Sequence, residues 1–308
     1  SPKDEYGQRI GWTGYTWQKE LFPSPANFLR WTENERLKVA LNLHPASGIQ
    51  PYEDVYDAFT REYGWTEKGK SVPFHIDDRK WADAYFKTVL GPMEQDGVDF
   101  WWLDWQQWTE SKFTPGLSNT FWLNHTFFHH AERRNPALRP FIYHRWGGLG
   151  SHRYPLAFSG DTYATWATMR RTVEVTLKGG NNGVWWSHDI GGYMPQGTDG
   201  YIPDGEMFAR WAQLGAFSPL MRFHAKKDLF WHPARTCPDG WDGGSRLPWE
   251  WGPTVLESIR SSIRLRAALN PYIYTLMREA HDTGVPLCRG MYLDWPDRDE
   301  AYRFDQYL

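Results

Sequence analysis

The 308-residue chain carries 34 Lys and Arg against 37 Asp and Glu, and a net charge of −3 gives no electrostatic reason to expect nucleic acid or acidic lipid as a partner. The length suits one large domain or two small ones, with 41% apolar residues to build a core. Its 20 Trp, 16 Tyr and 17 Phe exceed what core packing comfortably explains, and sugar rings, which stack on flat aromatic faces, are the first ligand class they suggest.

Residues 1–20 are polar and aromatic with Gly7, Gly11 and Gly14, and read as loop. A helix is expected over 25–35, then a strand over 37–43 that ends at His44-Pro45. Helices follow over 52–63 and 80–89. Residues 98–103, an aromatic-rich apolar run broken only by Asp99, predict a strand buried on both faces, as in a parallel sheet. Asp104 at its exit is out of place in a core, because an unpaired buried carboxylate is costly. Either it caps or ion-pairs beside core tryptophans, or the strand ends at a cleft where Trp102 and Trp105 offer flat faces to a ligand.

An amphipathic helix is expected over 121–134, a strand over 138–145, and a Gly-rich loop over 147–150. A short strand over 155–161 again ends in Asp. A helix over 166–177 leads to the stretch 183–192, which contains His188 and Asp189, and a helix over 206–215 precedes a strand over 219–224. The pattern over 254–283 reads as one or two helices interrupted at Asn270-Pro271, and the tail 286–308 has β character. No stretch is long and apolar enough to span a membrane. Cys237 and Cys288 form neither a disulfide framework nor a metal-spaced set, so the compartment stays open.

Six strand-helix units can be counted, with polar end markers His44, Asp104, Arg145, Asp161, Asp189 and His224. Alternating β and α implies a parallel sheet, and polar residues gathered at several carboxyl ends indicate a (β/α)8 barrel site. A doubly wound sheet would gather them mainly at one switch point, and no Gly-rich nucleotide fingerprint opens a helix here. Paired carboxylates such as Asp104 and Asp161 do glycoside chemistry by splitting roles between a nucleophile and an acid/base. A cation keeps the first ionised, and an apolar wall, for which Phe158 is the candidate, holds the second protonated.

The chain resembles glycoside hydrolase family 31, the α-glucosidase and α-xylosidase family. The resemblance is carried by residues 97–105, 145–154 with Gly150-Ser151-His152-Arg153-Tyr154, Ser159-Gly160-Asp161, His188-Asp189-Ile190-Gly191-Gly192-Tyr193, and 210–224 ending in Arg222-Phe223-His224. It implies a TIM barrel and a retaining exo-acting α-glycosidase that needs no cofactor and no metal. Asp104 would be the nucleophile and Asp161 the acid/base, their carboxyl groups about 5–6 Å apart as double displacement requires. Trp102, Trp105, Arg145, Phe158, Tyr193 and His224 would line the sugar pocket. Asp189 would either assist that pocket or hold its own turn, and Arg222 would be structural.

Three departures bear on the sugar: Trp105-Gln106-Gln107 where relatives carry Met-Asn-Glu, Phe158 where Trp is common, and Thr162 in place of Asn. By the same resemblance, strand 37–43 matches the family's third barrel strand. The expectation is therefore a fragment, inactive by itself, with an incomplete barrel over 1–285 and the start of a C-terminal β-sandwich over 286–308. The alternatives are an α-xylosidase, an α-galactosidase-type enzyme, a transglycosylase using the same residues, or a non-catalytic carbohydrate-binding protein. A metal-dependent barrel hydrolase has one hint, His125 and His129 on one helix face, but Thr126 stands where a zinc protease helix has Glu. His130 is expected on the same surface helix, and His44 either touches substrate or fixes its loop. Trp231, Trp241 and Trp249 would bind further sugar units or pack their loop. The partner expected is an oligosaccharide or glycoside; oligomeric state is open.

Overall fold

The computed structural model describes residues 12, 14–104, 108–145, 150–154, 156–181, 185–194, 204–224 and 247–307. The chain divides into two compact units, Ser1–Gly147 and Gly148–Leu308.

In the first unit, three parallel strands lie in chain order: β1 (Ala40–Leu43), β2 (Phe100–Leu103) and β3 (Ile142–His144). The register pairs Asn42 with Trp102 and Trp102 with Tyr143, so β2 is the middle strand, flanked on both sides. All three are shorter than expected. Pro140, which has no N–H to give a ladder, precedes β3, and Asp99 closes the start of β2 by accepting from the Val39 N–H at 2.8 Å.

Helices cover these strands: α1 (Pro25–Asn34), α2 (Tyr56–Tyr63), α3 (Arg79–Tyr85), α4 (Gly91–Asp96) and α5 (Asn119–Arg134). The helix expected over 80–89 in fact continues from α3 into α4 through a π turn at Phe86–Leu90. There the Gly91 N–H reaches the Phe86 carbonyl, five residues back, and Pro92 next to it has no N–H to continue a regular ladder. Asp78 and Ser118 cap α3 and α5, accepting from the backbone N–H of Lys80 and Phe121. Phe59, Trp81, Tyr85 and Phe127 are fully buried between these helices, with Trp81 stacked on Tyr85 at 4.9 Å. These aromatics serve the core, whereas others, such as Trp31, Tyr272 and Tyr274, are exposed.

In the second unit, β4 (Leu156–Phe158) and β5 (Trp185–Ser187) pair in parallel. The sixth expected strand, 219–224, is reduced to one parallel bridge between Ile190 and Phe223. Helices α6 (Trp166–Asn181), α7 (Gly205–Ala216) and α8 (Pro253–Thr283) accompany them. Ile190, Met207, Phe208, Trp211, Ala212 and Ile259 form the core here. Gly215 lets α7 approach, since a Cβ there would lie 2.4 Å from Ile190 Cδ1.

The break expected at Asn270-Pro271 does not occur: α8 runs unbroken through Pro271, anchored by Ile259 on one side of it and Ile273 on the other. The β character read into the tail is also corrected. Residues 286–307 form two short 3-10 turns, Met291–Leu293 and Asp299–Tyr302, and no strand among the described residues.

Candidate active site

In the first unit the polar residues sit immediately past strand ends. Asp104 follows β2 and is 7% exposed. One step past the last registered pairs, Leu43 with Leu103 and Leu103 with His144, come His44, Asp104 and Arg145 in neighbouring positions. The Arg145 guanidinium donates to Asp104 Oδ1 at 3.1 Å. The Asn42 amide donates to Oδ2 at 2.8 Å. His44 Nε2 lies 3.9 Å from that same oxygen, beyond hydrogen-bond distance, and the edge of Trp12 packs against its ring at 5.8 Å. Trp102, two residues before Asp104 on the same face, packs against Tyr143 at 5.6 Å. The arrangement orients the carboxylate at the end of a strand, because a guanidinium and a neutral amide take its two oxygens separately.

Asn42 was not singled out from the sequence. The available signal was a polar amide inside an apolar strand, two residues before His44 and so on the same face.

In the second unit Asp161 lies three residues past β4, exposed, and follows Gly160 at φ +71°. Its loop is laced to the loop after β5. Tyr193 and Met194 N–H groups both donate to the Thr162 carbonyl, at 2.8 and 2.9 Å, and Ala164 N–H donates to Met194 O at 2.9 Å. That close approach requires Gly192, at φ +78°, where a Cβ would meet Ala164 Cα at 2.5 Å. Tyr193 stacks on His224 at 5.2 Å, so these two expected sugar-pocket residues come together.

Phe158 is 1% exposed, with the Arg222 guanidinium 4.9 Å above its ring. Asp189 is fully buried and accepts from that same guanidinium. Next to it, His188 is 1% exposed; Trp211 Nε1–H donates to its Nδ1 at 3.0 Å. The imidazole proton therefore sits on Nε2 and is donated to Ser218 Oγ at 2.8 Å, which passes its own to the Leu214 carbonyl. Burial, helped by the Arg222 charge, pushes the His188 imidazole down to about 3, so it is a neutral structural group at ordinary pH.

Trp105 lies outside the described residues, as do Gln106, Gln107, Trp231, Trp241 and Cys237. Trp249 is described and exposed. The Cys288 thiol is buried, which pushes it up to about 12.

The three histidines of α5 part company. His125 packs on Trp122 and His129, and His129 Nδ1 meets Glu132 at 2.9 Å. His130 turns inward, against the expectation of a surface position, stacking on Phe86 at 4.0 Å and reaching Glu94 at 3.0 Å. Burial pushes the Glu94 carboxyl up, but hydrogen bonds from His130 and Trp101 and the charges of His130 and Arg134 outweigh it and hold the group below the usual carboxylate range. Among the described residues no group of three or more His, Cys, Asp or Glu is placed to hold a metal ion.

Residues 4–276 match the family model described as "Glycosyl hydrolases family 31 TIM-barrel domain". The chain is 24% identical over 332 residues to "Neutral alpha-glucosidase C" of Mus musculus, a match covering 96% of this chain and 34% of that protein. It is 35% identical over 165 residues to "Probable glucan 1,3-alpha-glucosidase" of Oryza sativa subsp. japonica, covering 53% of this chain and 16% of that one. Among solved structures, a GH31 alpha-xylosidase from a soil metagenome, complexed with xylose, superposes with a TM-score of 0.76 at 23% identity, over 96% of this chain and 48% of the other. The chain thus spans at most about half the length of these relatives. The α/β architecture of parallel strands and helices is that of the matched TIM-barrel domain, and with most of its length aligned to that domain the chain belongs to glycosyl hydrolase family 31.

Proposed function

We propose that the protein is a retaining, exo-acting α-glycosidase, most simply an α-glucosidase, which removes terminal α-linked sugars by double displacement. The observation that carries this reading is Asp104: a nearly buried strand-end carboxylate whose two oxygens are held by Arg145 and Asn42. In the first step an Asp104 oxygen attacks the anomeric carbon. The bond to the glycosidic oxygen breaks, and Asp161 gives that oxygen its proton. In the second step Asp161 takes a proton from water, the water oxygen attacks the anomeric carbon, and the Asp104 ester is released. Arg145 pairs with the nucleophile and orients it, while Trp102, Tyr193 and His224 supply stacking faces and donors for the sugar. The choice of glucose follows the relatives, which are named as α-glucosidases.

The experiment uses Asp104→Asn and Asp161→Asn in the naturally encoded enzyme. Asp104→Asn is expected to abolish turnover of every α-glycoside, since no ester forms. Asp161→Asn is expected to slow unactivated disaccharides far more than aryl glycosides with good leaving groups, which need little protonation. Equal losses on both substrate types would remove Asp161 from the acid role. A transglycosylase would show the same losses but transfer the sugar to an added saccharide in preference to water.

A further inference from the structure

We propose that Asn42 is a positioning residue for the nucleophile: its amide, with Arg145, sets the plane of the Asp104 carboxylate. This rests on the glycosidase reading above. An amide is a poor strand residue and costs free energy when half-buried, so an apolar side chain would serve β1 better, as at Ala40, Leu41 and Leu43. What the amide adds is a donor. The pleat places Asn42 on the face of Trp102 and Asp104, and the register makes it the diagonal neighbour of Asp104 across the β1–β2 ladder. Its Nδ2 then lies 2.8 Å from Oδ2, and since an ionised carboxylate only accepts, the amide must present its nitrogen.

Arg145 takes Oδ1 from the opposite flanking strand. Rotation of the carboxyl group about its Cβ–Cγ bond breaks both hydrogen bonds at once, so the two donors together specify one plane. Attack on an anomeric carbon depends on that plane, because a displaced nucleophile leaves the near-attack geometry. Asn42 does not titrate, so its amide is a donor at every pH. His44, at 3.9 Å from Oδ2, does not reach it.

Three variants of the naturally encoded enzyme test this: Asn42→Leu, Asn42→Asp and, as control, Asp104→Asn. They would be followed on a panel of aryl α-glucosides, α-xylosides and α-galactosides across pH, with a crystal structure of Asn42→Leu. Removing a hydrogen bond to a charged group should lower kcat of Asn42→Leu by about 10- to 100-fold, with KM nearly unchanged and a melt near that of wild type.

Asn42→Asp is the discriminating variant. At low pH one proton is shared by the two carboxyl groups, and the protonated one donates to the other, restoring the bond. As pH rises that proton leaves, the charges repel, and kcat should fall where wild type still works. Arg145 and His44 also face the pair, and both are present in wild type and variant alike.

A kcat of Asn42→Leu within two-fold of wild type while Asp104→Asn is dead would overturn the inference. So would an Asn42→Asp profile parallel to wild type, or an unrotated Asp104 in the Asn42→Leu structure. Wild-type inactivity on the whole panel together with a rotated Asp104 supports the positioning role and rejects the glycosidase reading instead.

Discussion

Asp189 offers the sharpest test of what holds the second unit's loops. Its carboxylate is fully buried and accepts from Arg222, whose side chain is 22% exposed and whose guanidinium lies over Phe158. Asp189→Ala leaves that guanidinium without its carboxylate. Breaking a buried ion pair on one side costs about 3–5 kcal/mol, and partial exposure of Arg222 places this case near the lower end, about 3 kcal/mol. For a unit of this size that amounts to roughly 6–12 °C in Tm. The double replacement Asp189→Leu with Arg222→Met removes both charges and should recover most of the loss, because an apolar pair carries no desolvation penalty. Thermal unfolding by circular dichroism, paired with kcat and KM, reads the result. A Tm within about 2 °C of wild type combined with a tenfold rise in KM would refute the reasoning and make Asp189 a sugar ligand.

The remaining predictions concern the same unit. His188 is neutral when folded, with its pKa down at about 3, so the unfolded chain binds one more proton between that value and its ordinary pKa near 6.5. The sign is therefore fixed: this contribution is full above about pH 6.5 and falls away as pH drops toward 3, by about 1.4 kcal/mol per unit, or about 2 kcal/mol at pH 5. Urea unfolding at pH 7 and pH 5 should show that loss in wild type and a smaller one in His188→Gln. Gly192→Ala should destabilise the paired loops after β4 and β5 and lower kcat by displacing the Asp161 loop, since its Cβ would sit 2.5 Å from Ala164 Cα at a positive φ. An unchanged kcat with an unchanged melt would show that the loops tolerate the separation.

The alternation of strands and helices, the strand-end positions of His44, Asp104 and Arg145, and the family were all readable along the chain. Each rests on local information: the period of apolar residues, the placement of polar groups at element ends, and ordered motifs. Asp104 could be picked out because a carboxylate after an aromatic strand is costly unless something holds it. What holds it could not be read. Asn42 is 62 residues away, and only the β1–β2 register brings its amide to Oδ2.

Other features depended on long-range packing in the same way. His130 looked like one more surface histidine until Glu94, 36 residues earlier, and Phe86 drew it inward. Asp189 had two equal readings along the chain, and only packing shows its carboxylate buried against the Arg222 guanidinium. Pro271 signalled a break, but anchoring residues on both sides keep α8 whole. Local sequence sets which groups are available. Register and packing, which join residues far apart in the chain, decide which carboxylates are held, which histidines are neutral, and which polar side chain does the holding.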